Sequence, residues 1–345
     1  MILFHNDYNE ACHPDILKRL QAFSTAQMPG YGADVYCQKA ADLIRKYCHS
    51  DAVSVHFLVG GTQTNLTVIA AALRPHQAVI GAESAHIHVH ETGAIEATGH
   101  KVIAIPSRNG KITVEQICDV VTSQRMSADA EHFAQPKMVY ISNPTEYGTT
   151  YKLIELEEIS AYCRNNGLLL YVDGARMGYG LASKDNDIFL EDYARLCDAF
   201  YIGGTKVGAM FGEAVVIPNP GIAEDFRYLM KQRGGMLAKG WLLGLQFQTL
   251  FEDGLYFQIS EHADRLADQI RKTLQASGYP LYVEGTTNQI FTVLPNDRLK
   301  KLDKHFTYAV WETIDPDHTV VRFCTSWATK TEDVKALCAA LADEG

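Results

Sequence analysis

Two rhythms of apolar and polar positions divide the chain. Between about residue 53 and residue 217, short apolar runs recur with turns and helical stretches between them. After Pro218 and Pro220 the apolar spacing becomes that of long helices. The short runs fall at 53–59, 78–80, 101–105, 137–141, 168–172, 199–202 and 214–217, with helical stretches at 65–73 and near 113–124 and 154–165. Short β-rich runs alternating with helices predict an α/β fold with a mainly parallel central sheet covered by helices on both faces.

The flanks follow the same logic. Residues 1–12 are polar and without helical period, which predicts an extended arm. Pro14 suits the first turn of a helix continued by Ile16, Leu17, Leu20 and Phe23, and a second helix is predicted over 35–49 with Ala40, Leu43, Ile44 and Tyr47 on its apolar face. Helices are predicted at 222–233, 238–252 and 255–277. A smaller α/β unit follows, with strands near 289–294, 307–312 and 319–323 and a last helix over 332–341. The domain transition is placed within the long helices near 240–255. This gives a large domain 1–245, including the arm 1–12, and a small C-terminal domain 246–345.

Composition narrows the class. A chain of 345 residues with 47% hydrophobic and 21% charged residues has the balance of a soluble globular protein. A formal net charge of -10 with no Lys/Arg block argues against nucleic acid as a partner. No signal-peptide pattern opens the chain and no apolar run approaches a membrane span, so a cytoplasmic location is expected. The eight cysteines (12, 37, 48, 118, 163, 197, 324 and 338) are scattered without a CxxC pair or zinc-ligand spacing, which predicts reduced thiols. In that compartment the sequon Asn65-Leu-Thr67 is a coincidence.

Two apolar runs each deliver an ionisable residue just past their ends, Asp173 after the first and Lys206 after the second. In an open parallel sheet the crevice beyond the carboxyl ends of the strands is where ligands bind. An acid and an amine converging there suit pyridoxal 5'-phosphate, whose Schiff base needs a lysine and whose pyridine nitrogen needs a carboxylate. Taken singly, each residue has a blander reading: a helix-capping aspartate and a solvated lysine. The apolar flanks of Lys206 (Phe200, Tyr201 and Ile202 before; Val207, Ala209, Met210 and Phe211 after) would desolvate its amine and lower its pKa. The turn Gly60-Gly61-Thr62 between a strand and a helix suits a phosphate at a helix N-terminus, although taken alone it reads first as a tight turn capped by Thr62. It is neither a Walker loop nor a GxGxxG fingerprint.

Together these features resemble the low-specificity threonine aldolase family of the β-eliminating lyase group, fold type I enzymes that use pyridoxal 5'-phosphate. The resemblance runs from about His5 to Thr329. It is carried by Asn6-Asp7, Gly32-Ala-Asp-Val-Tyr36, Gly60-Gly-Thr-Gln-Thr-Asn65, Ala85-His86, Glu91-Thr-Gly93, Asp173-Gly-Ala-Arg176, Gly204-Thr-Lys206, Gly234-Gly-Met236 and Val321-Arg322. It implies the fold type I architecture, a mainly parallel sheet plus a smaller C-terminal α/β domain. It also implies a homo-oligomer, dimer or homotetramer, with active sites between subunits. By the same resemblance Lys206 would carry the cofactor, Asp173 would pair with its pyridine nitrogen, and Gly61 and Thr62, with Thr205, would bind its phosphate. His86 would stack on the ring. Arg176 would lie near the cofactor's phenolic oxygen and, with Arg322 and Asn6, near the substrate carboxylate.

The implied reaction cleaves β-hydroxy-α-amino acids to glycine and an aldehyde, with His86, His88 or Glu146 taking the β-hydroxyl proton. Glu146, in Asn143-Pro-Thr-Glu146-Tyr147, stands where the family has a histidine; a solvent-facing loop charge is its alternative reading. The family's basic residue after the Gly-Gly-Met turn moves to Lys239. The run His86-Ile-His-Val-His90 would put alternate side chains on one side of a strand. Without further ligands it predicts one stacking histidine beside two ordinary ones, and no metal. The competing reaction is β-elimination or transamination on the same cofactor. A fold kept only as a binding module is opposed by the intact Lys206, Asp173 and Arg322.

Overall fold

The runs that are apolar at every position become strands buried on both faces: Gln77–Ala82, Ala199–Gly203 and Glu213–Ile217 are buried at every residue. The computed structural model describes residues 1–343. In chain order its strands are β1 (Ile2–Leu3), β2 (Ser54–Leu58), β3 (Gln77–Ala82), β4 (Lys101–Ile105), β5 (Gln135–Ser142), β6 (Leu169–Asp173), β7 (Ala199–Gly203), β8 (Glu213–Ile217), β9 (Leu281–Val283), β10 (Gln289–Pro295), β11 (Phe306–Thr307), β12 (Ala309–Thr313) and β13 (His318–Cys324). Seven of them form the central sheet in the order β2-β8-β7-β6-β5-β3-β4. All its pairings are parallel except those of β8, which runs against both β7 and β2. The carboxyl ends of β2, β5, β6 and β7 therefore gather at one edge, together with the first residue of β8.

Helices start and stop where local chemistry dictates. Asp34 caps Val35–Tyr47 by accepting the N–H groups of Tyr36 and Cys37, and Thr113 with Gln116 closes a capping box on Val114–Met126. Gly167, in the left-handed region at φ 65°, ends Leu153–Asn166 and turns the chain straight into β6.

The small unit is a four-stranded antiparallel sheet, β12-β13-β10-β9. The arm is not wholly irregular: β1 pairs in parallel with β11, and Phe4 sits in the core of the small unit. A two-residue strand is too short to leave a pattern in the sequence. The helix Leu255–Ala276 joins the two cores. Its Tyr256, Ile259 and Ala263 pack in the large core, and its Leu266, Ala267, Ile270 and Leu274 pack in the small one. The handover between the two cores falls between 263 and 266, inside one unbroken amphipathic helix. Burying a side chain such as Ile270 contributes about 1.5–3 kcal/mol, and this helix, about 33 Å long, supplies such side chains to both cores.

Candidate functional site

Two glycines let the loops after β6 and β7 lie side by side. A Cβ on Gly174 would fall 2.0 Å from the Tyr201 carbonyl oxygen, and one on Gly203 would fall 2.2 Å from that of Ala175. Only glycine permits this approach, which the Gly203 N–H seals by donating to Gly174 O at 2.9 Å. The same contact brings Asp173 and Lys206 to the wall of one cavity of about 550 Å³. Gly60, Gly61, Thr62, His86, Glu146, Arg176, Thr205 and Arg322 also line it.

Asp173 is buried and its carboxylate accepts four hydrogen bonds. Tyr140 Oη (2.6 Å) and Asn65 Nδ2 (3.0 Å) donate to Oδ2, while Tyr201 Oη (2.6 Å) and the Ala175 N–H (3.0 Å) donate to Oδ1. Burial alone would raise its pKa, but the field of His86 and the donors from Tyr140, Tyr201 and Ala175 outweigh it, so the carboxyl lies below its ordinary value. Burial and Asp173 push both phenols well up, keeping them as donors. Lys206 is shifted down, first by burial and then by Arg176, against the opposing fields of Asp7, Asp173 and Glu213. Its backbone is fixed by Tyr179 Oη donating to Lys206 O at 2.5 Å.

A relay of side chains ties His86 to this carboxylate. His86 Nδ1 lies 2.8 Å from Glu91 Oε1, that oxygen also accepts from Asn65 Nδ2 at 2.7 Å, and Asn65 Nδ2 reaches Asp173. Asn65 Oδ1 accepts from Tyr171 Oη at 2.8 Å, so the amide of the sequon is buried and fully engaged. With Glu91 buried as an acceptor, His86 Nδ1 carries a hydrogen toward it, which fixes the orientation of the ring. The strand expected at 86–91 is instead a one-turn helix, His86–Val89, because Ala85 O accepts the N–H groups of His88 and Val89. The turn points His88 out to solvent, away from the cavity, and brings His90 to its wall with ring centroids 5.6 Å from His86.

Glu146 faces the cavity rather than solvent. Its Oε1 accepts from the His86 N–H (2.9 Å) and Ser142 Oγ (2.7 Å), and burial raises its pKa. The loop that carries it is pinned by Asn143, whose Nδ2 donates to Tyr193 Oη at 2.6 Å and whose Oδ1 accepts the Tyr151 N–H. Arg176 lines the cavity but is held by Asp7, through Nε to Oδ2 at 2.7 Å and Nη2 to Oδ1 at 3.0 Å. Arg322 donates through Nη2 to His5 O and through Nη1 to Gln289 Oε1, lies 5.8 Å from the Trp311 ring centroid, and leaves a buried Nε without a partner. Asn6 does not line the cavity, because its Oδ1 is spent on the Tyr8 N–H in a local turn; Tyr8 lines it instead.

At the phosphate turn, the helix Gly61–Ala72 begins with Gly60 as its N-cap and no side chain capping it, so Thr62 lies inside the helix instead of capping it. Gly60 has extended backbone, and a Cβ there would meet no protein atom within 4 Å. Nothing in the protein itself demands glycine at that position; what a side chain would fill is cavity. Free N–H groups, the positive end of the helix dipole and that open space fit a phosphate. With an ionised carboxylate and a desolvated amine nearby, the set fits pyridoxal 5'-phosphate. Thr205 departs from its expected part: its Oγ1 donates to Glu213 Oε1 at 2.8 Å and accepts the Gly212 N–H at 3.0 Å. The sequence places Asp7, Asn65 and Glu91 within motifs and Glu213 just ahead of the run 214–217, without marking a part in the site for any of them. Asp7 and Asn65 meet partners 169 and 108 residues away, whereas Glu213 bonds within 9 residues and Glu91 reaches His86 at 5 and Asn65 at 26.

The model of the beta-eliminating lyase family matches residues 19–295. A low specificity L-threonine aldolase of Pseudomonas sp. is 30% identical over 338 residues, spanning 97% of this chain and 95% of that protein. Among solved structures, a threonine aldolase of Leishmania major shares 44% identity at a TM-score of 0.96, covering 99% of this chain and 98% of that one. An aspartate aminotransferase of Thermus thermophilus, 14% identical with a TM-score of 0.72 over 99% of this chain and 91% of that one, shares the fold alone.

Proposed function

Because the chain belongs to the beta-eliminating lyase family, and within it to the low-specificity threonine aldolases, we propose that it cleaves β-hydroxy-α-amino acids of the threonine and allo-threonine type to glycine and an aldehyde. It is a lyase of the fold type I architecture. The observation that carries the reading is one cavity in which a carboxylate, Glu146, and a guanidinium, Arg322, face the Asp173 and Lys206 pair.

Lys206 would hold pyridoxal 5'-phosphate through its amine, Asp173 would keep the pyridine nitrogen protonated, Gly61 and Thr62 would bind the phosphate, and His86 would lie against the ring. The cofactor, when bound, supplies an electron sink conjugated to the substrate Cα. Arg322, which lines the cavity, orients the substrate carboxylate through its guanidinium. Asp7 holds Arg176 in place beside it, so Arg176 contributes charge to the carboxylate end from a fixed position. Glu146 takes the β-hydroxyl proton at Oε2, since Oε1 already accepts two hydrogen bonds and burial has raised its basicity. Removing that proton commits the Cα–Cβ bond to break, and an aldehyde leaves.

The reading includes a homo-oligomer in the cytoplasm. Exposed Tyr31 and Tyr228, at 47% and 76%, flank a second cavity with Arg227, Lys231 and Met236 and support a subunit contact there. No helix among the described residues is long and apolar enough to cross a membrane. Light scattering on the purified protein tests the assembly. The activity is tested by aldehyde release from the threonine, allo-threonine and phenylserine stereoisomers. Release from at least one of them is expected, and release from none with the cofactor bound would overturn the reading.

A further inference from the structure

The register of the central sheet puts a buried carboxyl beside the phosphate turn. Glu213, the first residue of β8, pairs with Leu58 at the end of β2 on one side and with Gly203 at the end of β7 on the other. The chain leaves β2 into Gly60, Gly61 and Thr62, and leaves β7 into Thr205 and Lys206. Glu213 therefore stands between the two loops, lining the same cavity at 4% exposure. Its Oε2 accepts the Gly204 N–H at 2.9 Å and its Oε1 accepts from Thr205 Oγ1 at 2.8 Å. The charged and titratable groups around it are Lys206 on the loop after β7, Asp173 and Tyr171 on β6, Tyr201 on β7 and Tyr256 on the helix Leu255–Ala276. Lys206 is the one cation in that group, and on the reading above its amine is committed to the cofactor. A phosphate dianion in this turn and an ionised Glu213 would be like charges facing one cavity, and a nearby like charge disfavours ionisation of the carboxyl.

Resting on the cofactor reading, we propose that Glu213 is the acid wall of the phosphate cradle: it carries a proton whenever a phosphate dianion occupies the Gly60–Thr62 turn, so that binding takes up a proton from solvent wherever the unliganded carboxyl is ionised. The proton adds to Oε1, and no bond to phosphorus forms. As a neutral acid Glu213 donates to Thr205 Oγ1 instead of accepting from it. The Thr205 hydrogen is then free to turn to the phosphate, and the residue regains the part its position in the motif implies. Burial, opposed by Thr205, the Gly204 N–H and Lys206, already pushes the Glu213 carboxyl up to about 7, so the proton is within reach at neutral pH. Below that value Glu213 is protonated with or without ligand and affinity is unaffected. Above it each pH unit weakens binding by up to about tenfold, until the acid stays ionised in both states. The phosphate's own second ionisation, near pH 6, lies below this window.

The test uses pyridoxine 5'-phosphate, an alcohol that cannot react with Lys206, titrated calorimetrically into the full-length protein and into E213Q between about pH 7 and 8.5, in two buffers of different ionisation enthalpy. The wild type is expected to take up close to one proton near pH 8 and to bind several-fold more weakly there than at pH 7. E213Q should lose most of the uptake and the pH slope, and bind more tightly than the wild type at pH 8. Unaltered uptake in E213Q, or a flat wild-type affinity without uptake, would overturn the proposal and leave the cofactor reading standing. No binding at any pH would sink both. The binding-induced infrared difference spectrum of the wild type reads the same event without a variant: a new protonated-carboxyl stretch supports the proposal, and its absence refutes it.

Discussion

Replacing Asp7 by alanine removes the counter-charge from a guanidinium that has almost no water to turn to. The Asp7 side chain is 0% exposed and that of Arg176 12%. The carboxylate accepts from Arg176 Nε at 2.7 Å, Arg176 Nη2 at 3.0 Å and Asn288 Nδ2 at 2.8 Å, so the variant strands three donors and one charge. Breaking a buried ion pair from one side costs about 3–5 kcal/mol, whereas replacing both partners by apolar residues of similar size is close to neutral. Urea unfolding followed by circular dichroism is therefore expected to show D7A destabilised by about 3–5 kcal/mol and the double variant D7L/R176M by much less. The sign with pH follows from the same contacts. Burial would raise the Asp7 pKa, but Arg176, Lys206 and the hydrogen bonds hold it at about 2, against 3.8 ordinarily. The stabilisation is fully present above pH 3.8 and is lost as pH falls through 2, an amount on the order of 2–3 kcal/mol that D7A should lack. A D7A protein within about 1 kcal/mol of wild type, with an unchanged acid limb, would refute the reasoning.

Other perturbations separate the roles assigned in the cavity. E146Q should lower kcat by roughly 10²–10⁴ while cofactor absorbance is retained, and should abolish an acid limb in the wild-type kcat/KM profile that lies above the usual carboxylate range, as burial of Glu146 dictates. An unchanged kcat would move the proton to another group. R322K keeps the charge but not the planar fork, so KM should rise about tenfold or more, and a KM within twofold of wild type would remove Arg322 from the carboxylate. In E91A the His86 ring loses its Nδ1 anchor and Asn65 a partner at 2.7 Å; a shifted cofactor absorbance band is expected, and an unshifted one would argue that Glu91 only fills space. Of the eight cysteines only Cys118 and Cys338 are not buried, so at most two thiols should react rapidly with a disulfide reagent in the native protein.

Asp173 and Lys206 were legible in the sequence because each ends an apolar run, and a parallel sheet turns the ends of its strands into one edge. The features that explain their behaviour were not. Asp173 is held by Asn65, Tyr140 and Tyr201, which reach it from elements up to 108 residues away, and Arg176 is held by Asp7 across 169 residues. No local period encodes such pairings. The histidine run misled because alternation at 86, 88 and 90 mimics a strand, whereas hydrogen bonding to Ala85 O winds it into a turn. The handover between the cores was invisible for the opposite reason: the period of the helix Leu255–Ala276 runs unbroken across it. Thr205 and Glu213 show a third kind of limit, since a motif gives a residue's place while its neighbour decides which way its hydrogen points.

The most direct measurement is the product balance when the purified protein, reconstituted with pyridoxal 5'-phosphate, is incubated with threonine and, in parallel, with serine. Acetaldehyde and glycine should appear from threonine in equal amounts, and K206A should form neither. Pyruvate and ammonia from serine, with no acetaldehyde from threonine, would contradict the aldol cleavage even though the same Asp173 and Lys206 were at work.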